Sequence, residues 1–317
     1  MRREIEIVVA NIQENIPLAQ HCHYKIGGPA RFFCEAASEE EIRSAILFAR
    51  EKRVPIFILG SGTNLLFADE GFDGLVLKPS LKQILPRESI VEVGAGALVS
   101  ELLDFTVVHS LSGLEWAGGL PGTVGGAVRG NAGAFKGEIK DRIASVDSLD
   151  VDTLEKLTRD NPACHFGYRS SIYKEKGGRE VILSTRIRLE KGESTSIAAG
   201  IQEKINYRLQ RHPMEFPNTG STFKNLDLSL VPERFRQAFA SHIKMDPFPV
   251  IPTAFLITEA GLKGTRQGGA MVSAKHANFI INANNATSAD VKELIDIVKK
   301  RVFEKFEIRL EEEIQIV

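Results

Sequence analysis

Two glycine-rich segments carry residue types that bind phosphate groups. Gly60-Ser61-Gly62-Thr63-Asn64 follows an apolar stretch, and the run from Gly118 to Ala127 holds five glycines. Glycine lets the backbone approach a ligand closely, and successive N–H groups can then bind phosphate oxygens. An ordinary tight turn is the alternative for the first segment. Two such loops, each with a hydroxyl residue and an asparagine nearby (Asn64, Asn131), suit a ligand with two phosphates and a large planar end.

The spacing of these glycines narrows the class of nucleotide site. Neither segment reads G-x-G-x-x-G, because Leu65 occupies the sixth position from Gly60, and no G-x-x-x-x-G-K-[ST] occurs in the chain. The sequence therefore disfavours a Rossmann or P-loop site. The glycines are also concentrated, since 11 of the 27 fall between Gly94 and Gly137. A sheet with crowded turns is a weak explanation for so many.

Composition excludes several classes of protein. The 317 residues include 40 basic and 41 acidic side chains, so the chain has no bulk positive charge for nucleic acid or anionic membranes. Glutamates interrupt the apolar stretch at the N-terminus, and no window reaches the length of a membrane helix. The three cysteines show no C-x-x-C spacing. We expect a cytoplasmic enzyme without a metal site, because His21, Cys22 and His23 would alternate in direction on an extended strand.

The elements that position these loops begin with a β-α-β unit. Ser38 and Glu41 form a capping-box pattern that predicts a helix to about Lys52. Apolar residues at helical spacing follow it, and strand patterns lie on either side, at 31–36 and 55–59.

Short strands dominate the following part of the chain. The patterns predict strands at 75–78, 90–93, 143–151 and 180–190, with one helix at 98–110, which is typical of an α+β fold. A helix at 194–210 marks a domain border. The last third contains proline-rich irregular stretches, a strand at 278–281, a helix carrying Val291 to Val302 and a final strand at 308–317. On that last strand Glu312 would share the apolar face, while Glu311 and Glu313 point away.

Seven motifs in a fixed order resemble one family. They are Tyr24-Lys25-Ile26-Gly27-Gly28-Pro29-Ala30, Ile58 to Leu66, Gly113 to Ala134, Phe166-Gly167-Tyr168-Arg169-Ser170-Ser171, Gly220-Ser221-Thr222-Phe223-Lys224-Asn225, Ala260 to Gly264, and Val272 to Phe279. Together they span nearly the whole chain. The sequence closely resembles the UDP-N-acetylenolpyruvoylglucosamine reductase family, in its shorter type without the insertion that supplies a capping tyrosine.

The resemblance implies a fold, a domain division and cofactors. It implies a vanillyl-alcohol-oxidase-type (PCMH) FAD-binding region followed by a C-terminal α/β substrate-binding domain. The expected division is 1–75 joined by a C-terminal strand at 307–317, then 76–205, then 206–306. FAD would be bound and NADPH would be the co-substrate. The residues expected to bind FAD are Gly60, Ser61, Gly62, Thr63, Asn64, Leu65, Gly119, Pro121, Gly122, Thr123, Gly125, Gly126 and Asn131.

The family reaction reduces the enolpyruvyl group of UDP-N-acetylglucosamine-enolpyruvate to give UDP-N-acetylmuramate for peptidoglycan. It needs a cation at the substrate carboxylate, a proton donor at the inner vinyl carbon and a polar partner for the enol-like intermediate. By resemblance these are Arg169, Ser221 and Glu313, and the terminal motif departs from the family because Glu312 replaces a proline. Asn225 and Arg211 are the expected substrate-binding residues.

Two other functions share some of these features. A flavin-dependent oxidase of the same fold would keep the glycine loops but has no need of Arg169, Ser221 and Glu313 together. A non-catalytic nucleotide-binding module would need none of the three. The oligomeric state and the purpose of residues 226–250 are not encoded in any pattern that we recognise.

Overall fold

The computed structural model describes residues 10–87, 90–245 and 248–317. Its contacts divide the chain into two compact units. Unit 1 comprises the described residues of Met1–Ile16, Ala30–Ser61 and Phe72–Lys204, and unit 2 those of Pro17–Pro29, Gly62–Gly71 and Ile205–Val317. The three-part division expected from the sequence stays a prediction. The N-terminal stretch considered above lies mostly outside the described residues, as does Pro247.

The described chain forms eight α-helices and 21 short strands. The helices are α1 Glu39–Lys52, α2 Val99–Val108, α3 Val124–Arg129, α4 Ile172–Glu175, α5 Ser194–Arg211, α6 Glu233–Phe239, α7 Thr253–Glu259 and α8 Ser288–Phe306. The strands are β1 Gln13–Pro17, β2 Pro29–Ala36, β3 Ile56–Ile58, β4 Leu65–Leu66, β5 Phe72–Pro79, β6 Ile84–Arg87, β7 Ile90–Gly94, β8 Leu111–Ser112, β9 Gly133–Ala134, β10 Gly137–Glu138, β11 Ile143–Asp150, β12 Lys156–Asp160, β13 Glu180–Arg188, β14 Glu190–Lys191, β15 Leu226–Asp227, β16 Lys244–Met245, β17 Pro249–Ile251, β18 Arg266–Gln267, β19 Ala270–Val272, β20 Ile280–Asn282 and β21 Gln315–Ile316.

Unit 1 contains two larger sheets. The first has the strand order β1-β2-β5-β3, with β5 parallel to both β2 and β3. The second is antiparallel, in the order β12-β11-β13-β7-β6. Helix α1 begins at Ser38, whose side chain accepts a hydrogen bond from the Glu41 N–H at 3.1 Å. Its buried face joins alternate residues of β2 and β5 and the buried Leu149 and Val181 in one core.

Unit 2 is built on smaller sheets and a long helix. The sheets have the orders β18-β19-β20 and β15-β17-β16, and β21 pairs in parallel with β4. The long helix, α8, buries Val291, Leu294, Ile295, Val298 and Val302 on one face, as their helical spacing predicts. It packs against β18 and β19.

Most predicted elements are present, and the fold is α+β as expected. The predicted β-α-β unit is present, and β5 lies between its two strands, β2 and β3, parallel to both. Two expectations are corrected. Only Gln315–Ile316 of the predicted C-terminal strand is a strand, since most of the residues before it have no ladder partner. The irregular proline-rich stretch contains α7, which begins directly after Pro252.

The segment 226–250 is folded where it is described. Helix α6 begins directly after Pro232, and Phe235 and Phe239, one turn apart, stack at 5.6 Å between ring centroids. Phe239 also contacts Phe255 and Phe306. The segment therefore contributes aromatic side chains to the core of unit 2.

Candidate active site

The glycine loop at residues 118–127 of unit 1 is buried at its first residue and exposed at Gly126. A Cβ on Gly118 would lie 2.3 Å from the Ile201 carbonyl oxygen, so no larger residue fits there. Gly122, at φ +121°, takes a backbone conformation that side chains disfavour. Gly126, in contrast, is exposed, and a Cβ there would approach only Thr123 Oγ1, at 3.3 Å. The loop thus presents accessible main chain at the start of α3.

The second glycine segment begins beside this loop. A Cβ on Gly60 would lie 2.8 Å from Thr123 Oγ1, so the two main chains approach closely within unit 1. Thr123 itself caps α3, because its Oγ1 accepts a hydrogen bond from the Gly126 N–H at 3.2 Å. The N–H groups of Val124 and Gly125 donate to the Ala97 and Ala95 carbonyls, at 2.8 and 2.9 Å, so what these loops offer a ligand is close approach to the main chain.

Beyond Ser61 the same segment belongs to unit 2. Gly62 has φ +64° and lies against His21, and its carbonyl accepts a hydrogen bond from the His23 N–H at 3.1 Å. The exposed Asn64 donates from Nδ2 to the Glu313 carbonyl at 3.0 Å. The predicted cofactor segment is therefore joined to the C-terminal chain that carries a predicted catalytic residue.

Arg169 lies on a tight turn in unit 1. Gly167 and Ser170 exchange backbone hydrogen bonds of 3.0 and 3.2 Å, which leaves Tyr168 and Arg169 at the tip. Arg169 has φ +52°, an uncommon conformation for a residue with a side chain. Its Nη2 donates to the Gly133 carbonyl at 2.9 Å, and the Arg169 carbonyl accepts a hydrogen bond from Lys174 Nζ at 2.8 Å. Arg169 is half-buried, and the bond to Gly133 orients its guanidinium.

Ser221 lies in unit 2 on a segment held by a buried asparagine. The Asn278 side chain is 3% exposed, accepts from the Phe223 N–H at 3.0 Å and donates to the Phe223 carbonyl at 2.8 Å. The Thr222 N–H donates to the Asn278 carbonyl at 2.7 Å. Ser221 directly precedes this pairing and is half-buried.

The C-terminal glutamates are distinguished by their partners. Glu312 lies opposite Phe223 in a β-bridge, and its carboxylate pairs with Lys299 at 2.8 Å. Glu311 pairs with Lys224. The Glu313 N–H donates to the Thr222 carbonyl at 2.8 Å, so Glu313 lies opposite the neighbour of Ser221. The structure thus places Glu313 beside the residue that follows Ser221 in unit 2, and the direction of the Glu313 side chain stays a prediction.

The two predicted substrate-binding residues also lie in unit 2. Asn225 is half-buried, and its Oδ1 accepts from the Thr253 N–H at 3.3 Å. Arg211 is exposed and lies over the Tyr207 ring, 4.9 Å from its centroid. The substrate roles of both residues stay predictions.

Sequence reasoning missed a cluster of rings beside Arg211. Tyr207 contacts His212, and the His212 ring lies 5.3 Å from His276 and 5.0 Å from Phe279. Burial is the main cause that lowers the pKa of both histidines to about 4, so both rings are neutral near pH 7. His276 Nδ1 is a buried atom without a hydrogen-bond partner in the described chain. The sequence signal for this cluster was the position of His276 in the motif Val272 to Phe279.

Two further findings concern what the described residues do not contain. Among residues 10–87, 90–245 and 248–317, no group of three or more His, Cys, Asp and Glu side chains could hold a metal ion. In the same ranges, no helix combines the length and apolar character needed to cross a membrane. All three cysteines are buried and unpaired, and burial is the main cause that raises the pKa of Cys34 to about 11.

Comparison with known proteins places these features in a family. An FAD-binding domain model matches residues 30–153, and a model of the C-terminal domain of UDP-N-acetylenolpyruvoylglucosamine reductase matches residues 212–317. A reductase of that name from Caldanaerobacter subterraneus subsp. tengcongensis is 38% identical over 96% of this chain and 92% of its own length. The chain belongs to the UDP-N-acetylenolpyruvoylglucosamine reductase family.

Other members of the reductase family agree with this assignment. The one from Carboxydothermus hydrogenoformans is 39% identical over 96% of this chain and 93% of its own length. The crystal structure of UDP-N-acetylenolpyruvylglucosamine reductase from Thermus caldophilus matches with a TM-score of 0.76 and 28% identity, over 97% of this chain and 99% of that one. The similarity therefore extends across both units.

Proposed function

We propose that this protein uses FAD and NADPH to reduce the enolpyruvyl group of UDP-N-acetylglucosamine-enolpyruvate, giving UDP-N-acetylmuramate for peptidoglycan synthesis. The observation that carries the proposal is family membership over 96% of the chain. The match of the FAD-binding model to residues 30–153 supports the cofactor. We propose the cytoplasm as the compartment of this protein. Its substrate would be a small molecule, and the reaction needs no nucleic acid or membrane partner.

Bound FAD would supply the redox chemistry, taking a hydride from NADPH and delivering it to the terminal vinyl carbon. The residues that would hold it are those of the two glycine segments, Gly60, Ser61, Gly62, Thr63, Asn64 and Leu65, together with Gly119, Pro121, Gly122, Thr123, Gly125 and Gly126. The exposed backbone at Gly126 and the close approach of Gly60 to Thr123 support this role for the loops.

Arg169 would stabilise the negative charge that develops on the substrate carboxylate. Its guanidinium is always protonated and has forked donors that match a carboxylate. The turn fixes its backbone at φ +52°, so the side chain is positioned before the substrate arrives. Removing one such charge-stabilising donor typically costs about 2.7–4 kcal/mol of barrier.

Ser221 would donate the proton to the inner carbon, and Glu313 would be the polar partner of the enol-like intermediate. A free serine hydroxyl is a weak acid, so it can protonate only a strongly basic carbon such as this one. Their adjacency through the hydrogen bond from Glu313 N–H to the Thr222 carbonyl supports a shared role. Asn225 and Arg211 would contact the remainder of the substrate, with Arg211 near its phosphates.

The function is tested by separating the two half-reactions under anaerobic conditions. NADPH should bleach the flavin absorbance, and enolpyruvyl-UDP-N-acetylglucosamine, but not simple alcohols, should restore it. A flavoprotein that reoxidises rapidly with oxygen and ignores this substrate would instead be an oxidase. A chain that cannot be loaded with FAD would be a non-catalytic module.

The role of Ser221 is tested by Ser221→Ala in the same stopped-flow experiment. Proton transfer from a placed group contributes roughly 10²–10⁴-fold in rate. We expect NADPH to reduce the flavin of this variant at the normal rate, while reoxidation by the enolpyruvyl substrate slows by that factor. Equal loss in both half-reactions would show that Ser221 is not the proton donor.

A further inference from the structure

The turn that carries Arg169 is held by one short segment of unit 1. This anchoring segment, residues 129–133, begins at the last residue of helix α3. The Arg129 carbonyl accepts a hydrogen bond from Ser171 Oγ at 2.7 Å, and the Gly133 carbonyl accepts from Arg169 Nη2 at 2.9 Å. Between them, Asn131 Nδ2 donates to the Gly167 carbonyl at 2.9 Å. The anchoring segment thus contacts the start, the tip and the end of the turn.

Both polar atoms of the Asn131 side-chain amide form hydrogen bonds with other protein groups. Its Oδ1 accepts from the Lys140 N–H at 3.3 Å while its Nδ2 donates to Gly167. The residue is 0% exposed. Because an amide without accessible surface cannot touch a ligand unless its neighbours move, direct contact with FAD is disfavoured.

The backbone at the turn needs such an anchor. Arg169 at φ +52° costs roughly 1–2 kcal/mol relative to an ordinary conformation, so a free turn would tend to relax. Asn131 is itself at φ +41°, a region that asparagine tolerates better than most residues. A side-chain hydrogen bond to Gly167, two residues before Arg169, opposes that relaxation.

We propose that Asn131 is a positioning residue for Arg169, and that it acts by fixing the Gly167–Ser170 turn rather than by binding the cofactor. This rests on the proposed role of Arg169 at the substrate carboxylate. The inference assigns Asn131 to the second half-reaction, although it follows the cofactor loop directly in sequence.

The test uses Asn131→Gly in the full-length, FAD-loaded protein. Glycine accepts φ +41° without strain, so this variant removes the side-chain contacts and keeps the backbone free to take its conformation. We expect unchanged FAD content, an unchanged flavin spectrum and normal reduction by NADPH. Reoxidation by the enolpyruvyl substrate should slow about 10- to 100-fold, since a 1 Å displacement of a catalytic group can cost 10²-fold.

A second readout does not depend on turnover. Substrate binding to the oxidised enzyme perturbs the flavin absorbance, and a titration gives the dissociation constant. That constant should rise in Asn131→Gly because Arg169 meets the carboxylate less well. Loss of FAD, or equal slowing of both half-reactions, would overturn the inference and favour a cofactor contact.

A double-mutant cycle with Arg169→Lys separates this inference from the proposed function. If Asn131 acts through Arg169, Asn131→Gly should add no further loss in the Arg169→Lys background. Multiplying losses would refute the positioning role. If Arg169→Lys alone reacted normally, the proposed role of Arg169 would fail instead.

Two further variants keep the test decisive. Asn161→Gly removes two side-chain hydrogen bonds, to Lys140 and Ile143 at 2.6 and 3.0 Å, without touching the turn. It should leave both half-reactions unchanged. Should Asn131→Gly fail to fold, Ser171→Ala removes the neighbouring anchor to Arg129 and should slow reoxidation selectively. Normal reoxidation in that variant would count against the anchoring segment as a whole.

Discussion

Both units use a buried asparagine to hold a predicted catalytic segment, but they embed it differently. In unit 1, Asn131 joins the turn of Arg169 through a single hydrogen bond to Gly167. In unit 2, Asn278 bonds to both the N–H and the carbonyl of Phe223, two residues after Ser221. An amide side chain can therefore take the place of a missing strand where the backbone has no ladder partner.

The difference lies in what surrounds each asparagine. Around Ser221, main-chain bonds support the amide, because Thr222 also pairs with Asn278 and Glu313. Around Arg169, side-chain hydrogen bonds from Ser171 and Arg169 itself support the turn. The chain that follows the turn leads to a buried ion network. Loss of the asparagine contacts should therefore mainly displace the turn of Arg169 in unit 1 and mainly lower the free energy of unfolding in unit 2.

The ion network of unit 1 centres on Glu180, whose side chain is 0% exposed. Arg159 binds both of its carboxylate oxygens, at 2.5 and 2.8 Å, Lys176 donates at 2.6 Å and Ser148 donates at 2.8 Å. Burial opposes ionisation, but the hydrogen bonds from these partners outweigh it and lower the pKa of the Glu180 carboxyl. The network fixes the start of β13, and so the end of the chain that leaves the turn.

The largest effect on stability is expected from Glu180→Gln. Breaking a buried ion pair typically costs 3–5 kcal/mol, and we expect about 3 kcal/mol because Lys176 reaches solvent. Since the folded pKa is lowered, the stabilisation is complete above the ordinary carboxyl pKa and is lost as pH falls through the folded value. Urea denaturation against pH should show a flatter acid limb in the variant.

The matched control for this variant is Glu190→Gln in the same unit. Glu190 is 72% exposed and pairs with Arg142, so its loss should cost less than about 1 kcal/mol. Equal destabilisation by the two substitutions would show that the Glu180 network does not anchor unit 1.

The next largest effect is expected from Asn278→Ala in unit 2. This substitution removes the hydrogen-bond partner of both the N–H and the carbonyl of the buried Phe223. Each unsatisfied group should lower the free energy of unfolding by about 1–3 kcal/mol. We expect lower unfolding free energy together with slow reoxidation by substrate, because Ser221 lies beside the lost contacts. The exposed Asn284→Ala in the same unit should change neither.

This variant tests the comparison directly when it is set beside Asn131→Gly. Asn278→Ala should lose more stability in denaturant than Asn131→Gly does. The reverse order would mean that the turn of Arg169, rather than the Ser221 segment, carries the greater share of stability.

The smallest effect is expected from Asn64→Ala. Asn64 is exposed and donates a side-chain hydrogen bond to the Glu313 carbonyl, and a typical hydrogen bond contributes about 0.5–1.5 kcal/mol. Unlike Asn131, it has accessible surface for a ligand. FAD titration should therefore show weaker binding in Asn64→Ala and none of this loss in Asn131→Gly. Equal FAD affinities in the two variants would remove the distinction between these predicted cofactor residues.

Local patterns predicted the elements with strong periodicity. The capping residues Ser38 and Glu41 mark the start of α1, and the apolar spacing gives the buried face of α8. The alternation rule placed Glu312 and Glu313 on opposite faces of a long C-terminal strand, but only Gln315–Ile316 of that strand is present, and Ile316, expected on the apolar face, is 42% exposed. The directions of the two glutamates therefore stay a prediction.

Other features carried no local signal. Helices α6 and α7 were missed because each is short and begins after a proline in a stretch that reads as irregular. The pairing of β5 between β2 and β3 joins distant strands, and no window of sequence encodes a register between them. The site residues themselves were found from motifs, and their roles stay predictions.

The sequence by itself determined the family, the glycine loops predicted to bind FAD and the side chains that are candidates for the chemistry, because motif order and residue type are local properties. Only the tertiary structure decided how those side chains are held. Asn131 and Gly167 are 36 residues apart, and Asn278 and Phe223 are 55 apart. The partners of a buried amide are set by the tertiary fold and not by nearby sequence. An unsatisfied buried amide costs more free energy than its hydrogen bonds contribute, so the fold must supply those partners.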